Sequence, residues 1–517
     1  MGLSRNWMHP CAISFLILIP LQSYSQSVTI ATAQYDNSRT AANLNEKILN
    51  TSNVNATSFG KQYSFPVDGQ VFAQPLYVPH VKVRGAHVNM LYVATMNNTL
   101  YGFDVDKPGA PPLIQVNLGP PVPRGWAGTC PYGMTQLGIL STPVIDVPSG
   151  ILYAVSATPS GGQLGTGTYI HRLFAINIRK GTIRNSVQIS ADVPGSGYDA
   201  QNGQVSMNQT VYIQRPGLLL SNGFIYAGFG SCGPDPDPYH GWILGYSAKT
   251  LTQTAVFNSS PNGSRNAIWQ SGRGPVSDGS GSIYAFTGNG SWNGTSDFSD
   301  SVLKISPSGT LIDWFTPRNY GTLDSYDLDL SAGGPILMPD SNLIVGGGKE
   351  GVIYVLDPKS LGHSGAPVQQ FQATTLCAPF THNGCYQIHS TAYWAGAQML
   401  YIWGSNDTLR AYRATNGVFN TTPASRSAIM AQHPGGNLAV SALGTTQGSA
   451  IVWAVTPNGV VHAFDATDVS KELWNSAMNS ARDRLGSFAK FVPPVIANGK
   501  VYIATWSGAV VVYGLLQ

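Results

Sequence analysis

One pattern recurs along the chain: an apolar strand, a short turn, a strand carrying an aromatic residue, another turn, and a strand ending in small-aromatic-Asp. Its clearest copies are residues 90–95 followed by 100–104, and 451–456 followed by 461–465. The equivalent second-strand positions are Tyr92, Tyr153, Tyr226, Tyr284, Ile344, Tyr401, Trp453 and Tyr502. They lie about 59 residues apart, somewhat long for one four-stranded propeller blade with its loops. A set of sandwich domains would not hold one period across eight units. The spacing predicts an all-β chain folded as an eight-bladed β-propeller of four-stranded antiparallel blades.

Composition agrees with that reading. Glycine (58) and proline (34) are too frequent for long helices, and only 10% of residues are charged. Small residues and proline mark the first strand of several units, as in Thr142-Pro143-Val144 and Gly274-Pro275-Val276. That fits an innermost strand crowded around a channel, with proline confined to the strand start. The last unit ends on its third strand, so its outer strand must come from elsewhere. Residues 61–65, Lys-Gln-Tyr-Ser-Phe, are expected to supply it and close the ring, removing an open sheet edge. The chain therefore divides into an N-terminal arm over 26–58, expected to be peripheral, and one propeller over 59–517.

Residues 1–25 carry Arg5, an apolar run over 12–21 and Ser23-Tyr24-Ser25, the form of an export signal cleaved near Ser25. The run is too short for a membrane span. A secreted or periplasmic protein is expected, and a monomer. Lys plus Arg (28) against Asp plus Glu (25) leaves +3 without a basic run, so no nucleic-acid partner is expected. Cys130, Cys232, Cys377 and Cys385 suit disulfides in an oxidising compartment. Three pairings are open; the closeness of Cys377 to Cys385 favours a local bridge, which leaves Cys130 for Cys232.

The repeat resembles the pyrroloquinoline quinone (PQQ) repeat of quinoprotein alcohol dehydrogenases. Ala463-Phe464-Asp465-Ala466 leading to Glu472-Leu473-Trp474 is similar to the tryptophan-docking motif of that superfamily. The stretches at 67–77, 214–220, 239–242, 327–330 and 348–351 resemble secreted bacterial PQQ-like propeller proteins without an assigned activity. The resemblance implies the propeller fold, with PQQ and Ca²⁺ as the cofactors to consider. The adjacent cysteine pair of the catalytic alcohol dehydrogenases is missing here.

In such blades the loop entering the inner strand and the loop between the second and third strands open on one face. That rule gathers Arg215, Arg273, Asp329, His389 and Lys490 with His240, Asn289, Lys349, Glu350 and Asp407 on the loop-rich upper face. Asp329, His240 and His389 are the candidate bases. Arg215, Arg273, Lys349 and Trp242 are the candidates to hold a cofactor, and Trp126, Trp269 and Trp292 are further stacking platforms. Glu350, Asn289 and Asp329 offer oxygens for Ca²⁺. Bland readings stand beside these: Lys349 and Glu350 pairing across a turn, His240 ordering its loop, and tryptophans wedged between blades. Three functions follow. The first is a binding or scaffold propeller presenting its upper face to a glycan or protein. The second is a PQQ-dependent oxidoreductase acting on alcohols or sugars. The third is a polysaccharide lyase or hydrolase in which Arg215 or Arg273 neutralises a uronate.

Overall fold

The computed structural model describes residues 1–2, 28–126, 133–163, 165–231, 237–377 and 386–516. Eight antiparallel sheets of four main strands follow one another in chain order. The first blade runs Leu76–Val83, Ala86–Ala94, Thr99–Asp104 and Ile114–Asn117. The other seven place their second strands at Ile151–Gly161, Phe224–Ser231, Ile283–Phe286, Ile344–Gly347, Met399–Trp403, Ile451–Val455 and Lys500–Ala504. All eight positions of the sequence period fall in these strands. The prolines at 143, 216, 275 and 335 lie just before the inner strands that begin at Val144, Leu219, Val276 and Ile336. There their missing N–H costs no ladder bond.

The periodic tyrosine has a mechanical reason. At four of these positions the ring packs in its blade while its hydroxyl crosses to the next one. Tyr92 Oη donates to Ile178 O at 2.8 Å, Tyr153 Oη to Ala248 O at 2.8 Å, Tyr226 Oη to Pro307 O at 3.1 Å and Tyr401 Oη to Ala466 O at 2.7 Å. In the fourth blade Lys304 Nζ makes the crossing, reaching Pro358 O at 2.8 Å. Trp453 and Trp474 instead enclose Phe59 between the last two blades, with centroids 5.4 and 5.0 Å from its ring.

Closure is as expected. Phe59–Pro66 pairs antiparallel with Ala509–Leu515 and becomes the outer strand of the eighth blade. Phe65 then stacks on Phe103 of the first blade at 4.5 Å.

The segment before it is not peripheral. Residues 30–46 thread the middle of the ring and bond to the inner strand, or the residues flanking it, of every blade. Ile30 exchanges backbone bonds with Tyr77, and Ala31 O accepts from Ile145 N at 2.8 Å. Arg39 reaches Leu218 O, and Asn37 O accepts from Ser277 N. Ser38 O, Thr40 O and Ala41 O accept from Leu337, Tyr393 and Val440 N. Asn43 Nδ2 donates to Ile496 O at 3.0 Å. The circuit is tight, with Gln34, Tyr35, Arg39 and Ala41 at φ of 55°, 77°, 59° and 56°. For non-glycine residues that costs about 1–2 kcal/mol each, offset by pairing the exposed inner edges. Arg39 is fully buried, yet its guanidinium finds Pro275 O, Leu218 O, Ala33 O and Thr32 Oγ1 between 2.7 and 3.1 Å.

The expected export signal falls almost wholly in residues 3–27, outside the described residues, as do Cys130, Cys232 and Cys385. Cys377 is disulfide-bonded and buried against Leu323 and Leu328. Among the described residues no helix is long and apolar enough to cross a membrane.

Candidate functional site

Above the threaded segment, the loops entering the inner strands of blades three to eight converge at the channel mouth. Arg215 Nη2 donates to Lys490 O at 3.4 Å, and Lys490 Nζ lies 3.1 Å from His433 Nε2. His433 Nδ1 is 3.2 Å from Ser405 Oγ, and its ring meets that of His389 edge-on at 5.3 Å. His389 Nδ1 is 3.1 Å from Ser271 Oγ, which donates to Ala332 O. Phe491 sits in the middle, with Lys490 Nζ 4.8 Å and the Arg215 guanidinium 5.6 Å from its ring centroid. Trp269, partly buried, packs edge-on against Phe491 at 5.1 Å. Gly272 sits at φ 82°, in the left-handed region that favours glycine, and a Cβ there would also push on the Arg215 guanidinium.

Crowding among these cations shows in their proton affinities. Burial, with Arg215 and Lys349 close by, brings the Lys490 ammonium down to about 8. Burial and the same neighbourhood of Lys490 and Lys349 bring His433 down to about 4 and hold the buried His389 well below the usual imidazole range. Burial lowers Arg215 to about 10, still protonated at neutral pH. Neither Arg215 nor Lys490 has a carboxylate partner among the described residues.

A second cluster borders the first. Lys349 Nζ lies 2.9 Å from Asp327 Oδ1 and 2.5 Å from Asp329 Oδ2. Asn289 N donates to Asp329 Oδ1 at 3.0 Å and Asn289 Nδ2 to Asp327 Oδ1 at 2.8 Å. Gly288 leaves the room that Asp329 occupies. Burial and the Asp329 charge push Asp327 up to about 6. Burial works in the same direction on Asp329, but the ammonium of Lys349 outweighs it and holds that carboxyl below its usual range. Asp300, fully buried beneath them, is raised well above the carboxylate range by burial and by Asp329.

Other sequence candidates lie elsewhere. Glu350 does not pair with Lys349. Its carboxylate turns into a side groove of about 650 Å³, where Asn319 Nδ2 and Tyr354 Oη donate to it at 2.6 and 3.1 Å. The Ca²⁺ set of Glu350, Asn289 and Asp329 is therefore not assembled. Arg273 is buried on the axis and spends its guanidinium on Arg39 O and Thr391, which removes it from the cofactor holders. Trp242 is wholly buried in the packing of the third blade and has no face for a ligand. His240, also wholly buried, lies 2.9 Å from Asp199 and 3.0 Å from Ser260 Oγ. Ser-His-Asp chemistry is unavailable there because the serine too is sealed from solvent. Asp407 pairs with Arg410 at 2.9 Å, and Trp292 leans on Tyr320 at 4.6 Å.

His433 and Phe491 were missed. Both lie in loops that enter inner strands, His433 before Pro434-Gly435-Gly436 and Phe491 before Val492-Pro493, so the loop rule itself would have found them. Asp327 stood two residues from Asp329 without being assigned a role.

Eight four-stranded blades, closed by an N-terminal strand around a polar, loop-lined mouth, define the fold as an eight-bladed β-propeller. No family model and no curated protein sequence matches the chain. Among solved structures it is similar to the quinohemoprotein alcohol dehydrogenase of Comamonas testosteroni, with a TM-score of 0.62 at 13% identity over 94% of this chain and 80% of that one. A quinohemoprotein alcohol dehydrogenase from Pseudomonas putida HK5 gives 0.60 at 13% over 95% and 81%. A europium-containing methanol dehydrogenase gives 0.59 at 14% over 94% and 92%. At such identities the likeness is one of fold.

The mouth fits the two cofactors of the quinoprotein reading unequally. Arg215 and Lys490 suit the carboxylates of a quinone such as PQQ, and Trp269 offers it a ring face. A divalent ion is not matched: Asp327 and Asp329 already share an ammonium, and Glu350 faces another groove.

Proposed function

We propose that the protein is an extracytoplasmic binding propeller whose channel mouth takes an anionic ligand, of the class of carboxylate-bearing glycans. The observation that carries this reading is the group Arg215, Lys490 and His433 around Phe491, cationic or cation-adjacent and without a carboxylate partner among the described residues. Burial, together with the Arg215 and Lys349 charges, lowers the Lys490 ammonium, and a bound carboxylate offsets that penalty by supplying the missing countercharge. The partly exposed Trp269 supplies an apolar face of the kind on which sugar rings stack.

The test is a thermal-shift titration with oligogalacturonate against a neutral maltooligosaccharide of equal length. Saturable stabilisation by the uronate alone supports the reading. Equal response to both sugars, or to neither, removes it.

A second reading, PQQ-dependent oxidation of alcohols or sugars, is favoured by the cation set and by the fold shared with quinohemoprotein alcohol dehydrogenases. When bound, PQQ would supply the two-electron acceptor. Arg215 and Lys490 would orient its carboxylates, and Asp329, held ionised beside Lys349, is a weak base for a substrate hydroxyl. Reconstitution with PQQ, followed by dye reduction with alcohols and sugars, separates the two readings. Turnover that disappears in Asp329→Asn would promote the second.

A further inference from the structure

We infer that the Lys349 ammonium is a built-in cation that fills the place of a divalent metal at the channel mouth, so that this face works without calcium. Three observations carry the inference, whatever ligand enters the mouth. First, Nζ is held between two carboxylates from one short stretch, 2.9 Å from Asp327 Oδ1 and 2.5 Å from Asp329 Oδ2. A single charge between two carboxylates at these distances plays the bridging role for which hard divalent ions use Asp oxygens.

Second, a third oxygen is present and unused. Asn289 is only 8% exposed, and its amide nitrogen is fixed on Asp327, but its Oδ1 has no hydrogen-bond partner. Of the three donors of an ammonium, two go to the aspartates and none reaches the amide oxygen. A buried amide oxygen without a partner costs about 1–3 kcal/mol. An oxygen-seeking cation of higher coordination number would use it, and lysine does not.

Third, the acid set is too dense to stand without internal charge. After burial, the Asp329 charge raises the proton affinity of both Asp300 and Asp327, and Lys349 is the cation that touches Asp327 and Asp329. Among the described residues there is no group of three His, Cys, Asp or Glu side chains that could hold a metal. Removing the lysine should leave Asp327, Asp329 and Asn289 Oδ1 facing one vacated space.

The experiment measures calcium binding by calorimetry and thermal melting for the full chain and for Lys349→Ala and Lys349→Met. The wild type is expected to bind no calcium and to melt at the same temperature in calcium and in EDTA. Both variants are expected to melt lower in EDTA, to bind one calcium ion per chain, and to gain about 2–4 °C or more on binding. Asp329→Asn in the Lys349→Ala background should abolish that gain. A variant that fails to fold in EDTA should be rescued by millimolar calcium; failure of rescue overturns the inference. It is equally overturned by folded variants that ignore calcium, or by wild-type protein that binds one ion and loses it in Asp329→Asn. Since no sugar or quinone is present, these outcomes leave the ligand-binding proposal to its own test.

Discussion

Arg273 Nη1 donates to the carbonyl oxygen of Arg39 at 2.6 Å, joining the floor of the channel mouth to the segment that fills the channel. The same guanidinium reaches Thr391 of the sixth blade. The mouth therefore inherits its rigidity from a stretch of chain that precedes the first blade.

The first prediction concerns that stretch. Arg39→Ala removes a buried charge, leaves four oxygens short of a donor and opens a hole on the axis. A loss of about 3–5 kcal/mol is expected in denaturant melts, the range for breaking a buried charged network. Deleting residues 28–46 should abolish the cooperative transition. Wild-type stability after either change would show that the blades close without the filling segment.

The tyrosine crossings are weaker and should be additive. Tyr92→Phe and Tyr401→Phe each remove one hydroxyl bond between neighbouring blades and are expected to cost about 1 kcal/mol. The two sites share no partner, so the double variant should lose the sum within about 0.5 kcal/mol. A deficit much larger than the sum would mean that ring closure itself is strained.

Closure rests on Phe59. Its ring is fully buried between Trp453 and Trp474 while its backbone begins the strand that completes the eighth blade. Phe59→Ala should cost about 3–5 kcal/mol and expose an edge strand, with aggregation on heating. Light scattering during the melt reads this directly, and an unchanged trace would contradict it.

Much of the fold was legible because the period marks the buried second strand of every blade, and at Tyr92, Tyr153, Tyr226 and Tyr401 it also marks a hydroxyl that reaches the next blade. The closing strand was legible because the last unit lacked its outer strand. The filling segment was not: its Asn, Ser and Thr read as a solvated arm, yet its backbone, with the side chains of Arg39 and Asn43, pairs the bare inner edges of eight blades. Site residues were found where the loop rule applied, as with Arg215, His389 and Lys490. Their partners were not. Nothing in Gly348-Lys349-Glu350-Gly351 says that the lysine turns to Asp327 and Asp329 while the glutamate turns away.

Lys490 sets the pH dependence of binding. Burial, Arg215 and Lys349 lower it to about 8, below its unfolded value, so between the two the unfolded chain holds the extra proton and stability rises with pH. Binding of an anion has the opposite sign. Affinity should be flat below the Lys490 titration and fall as pH rises through about 8, and Lys490→Arg should move the fall to higher pH. Affinity that grows with pH would place the anion elsewhere.

The most direct test of the central claim is calorimetric titration of oligogalacturonate into the wild type and into Lys490→Glu at fixed low salt. The account predicts saturable binding to the wild type, weakened at least tenfold in Lys490→Glu. Binding of equal strength in the two proteins would contradict it, as would a wild type that takes up no uronate at all.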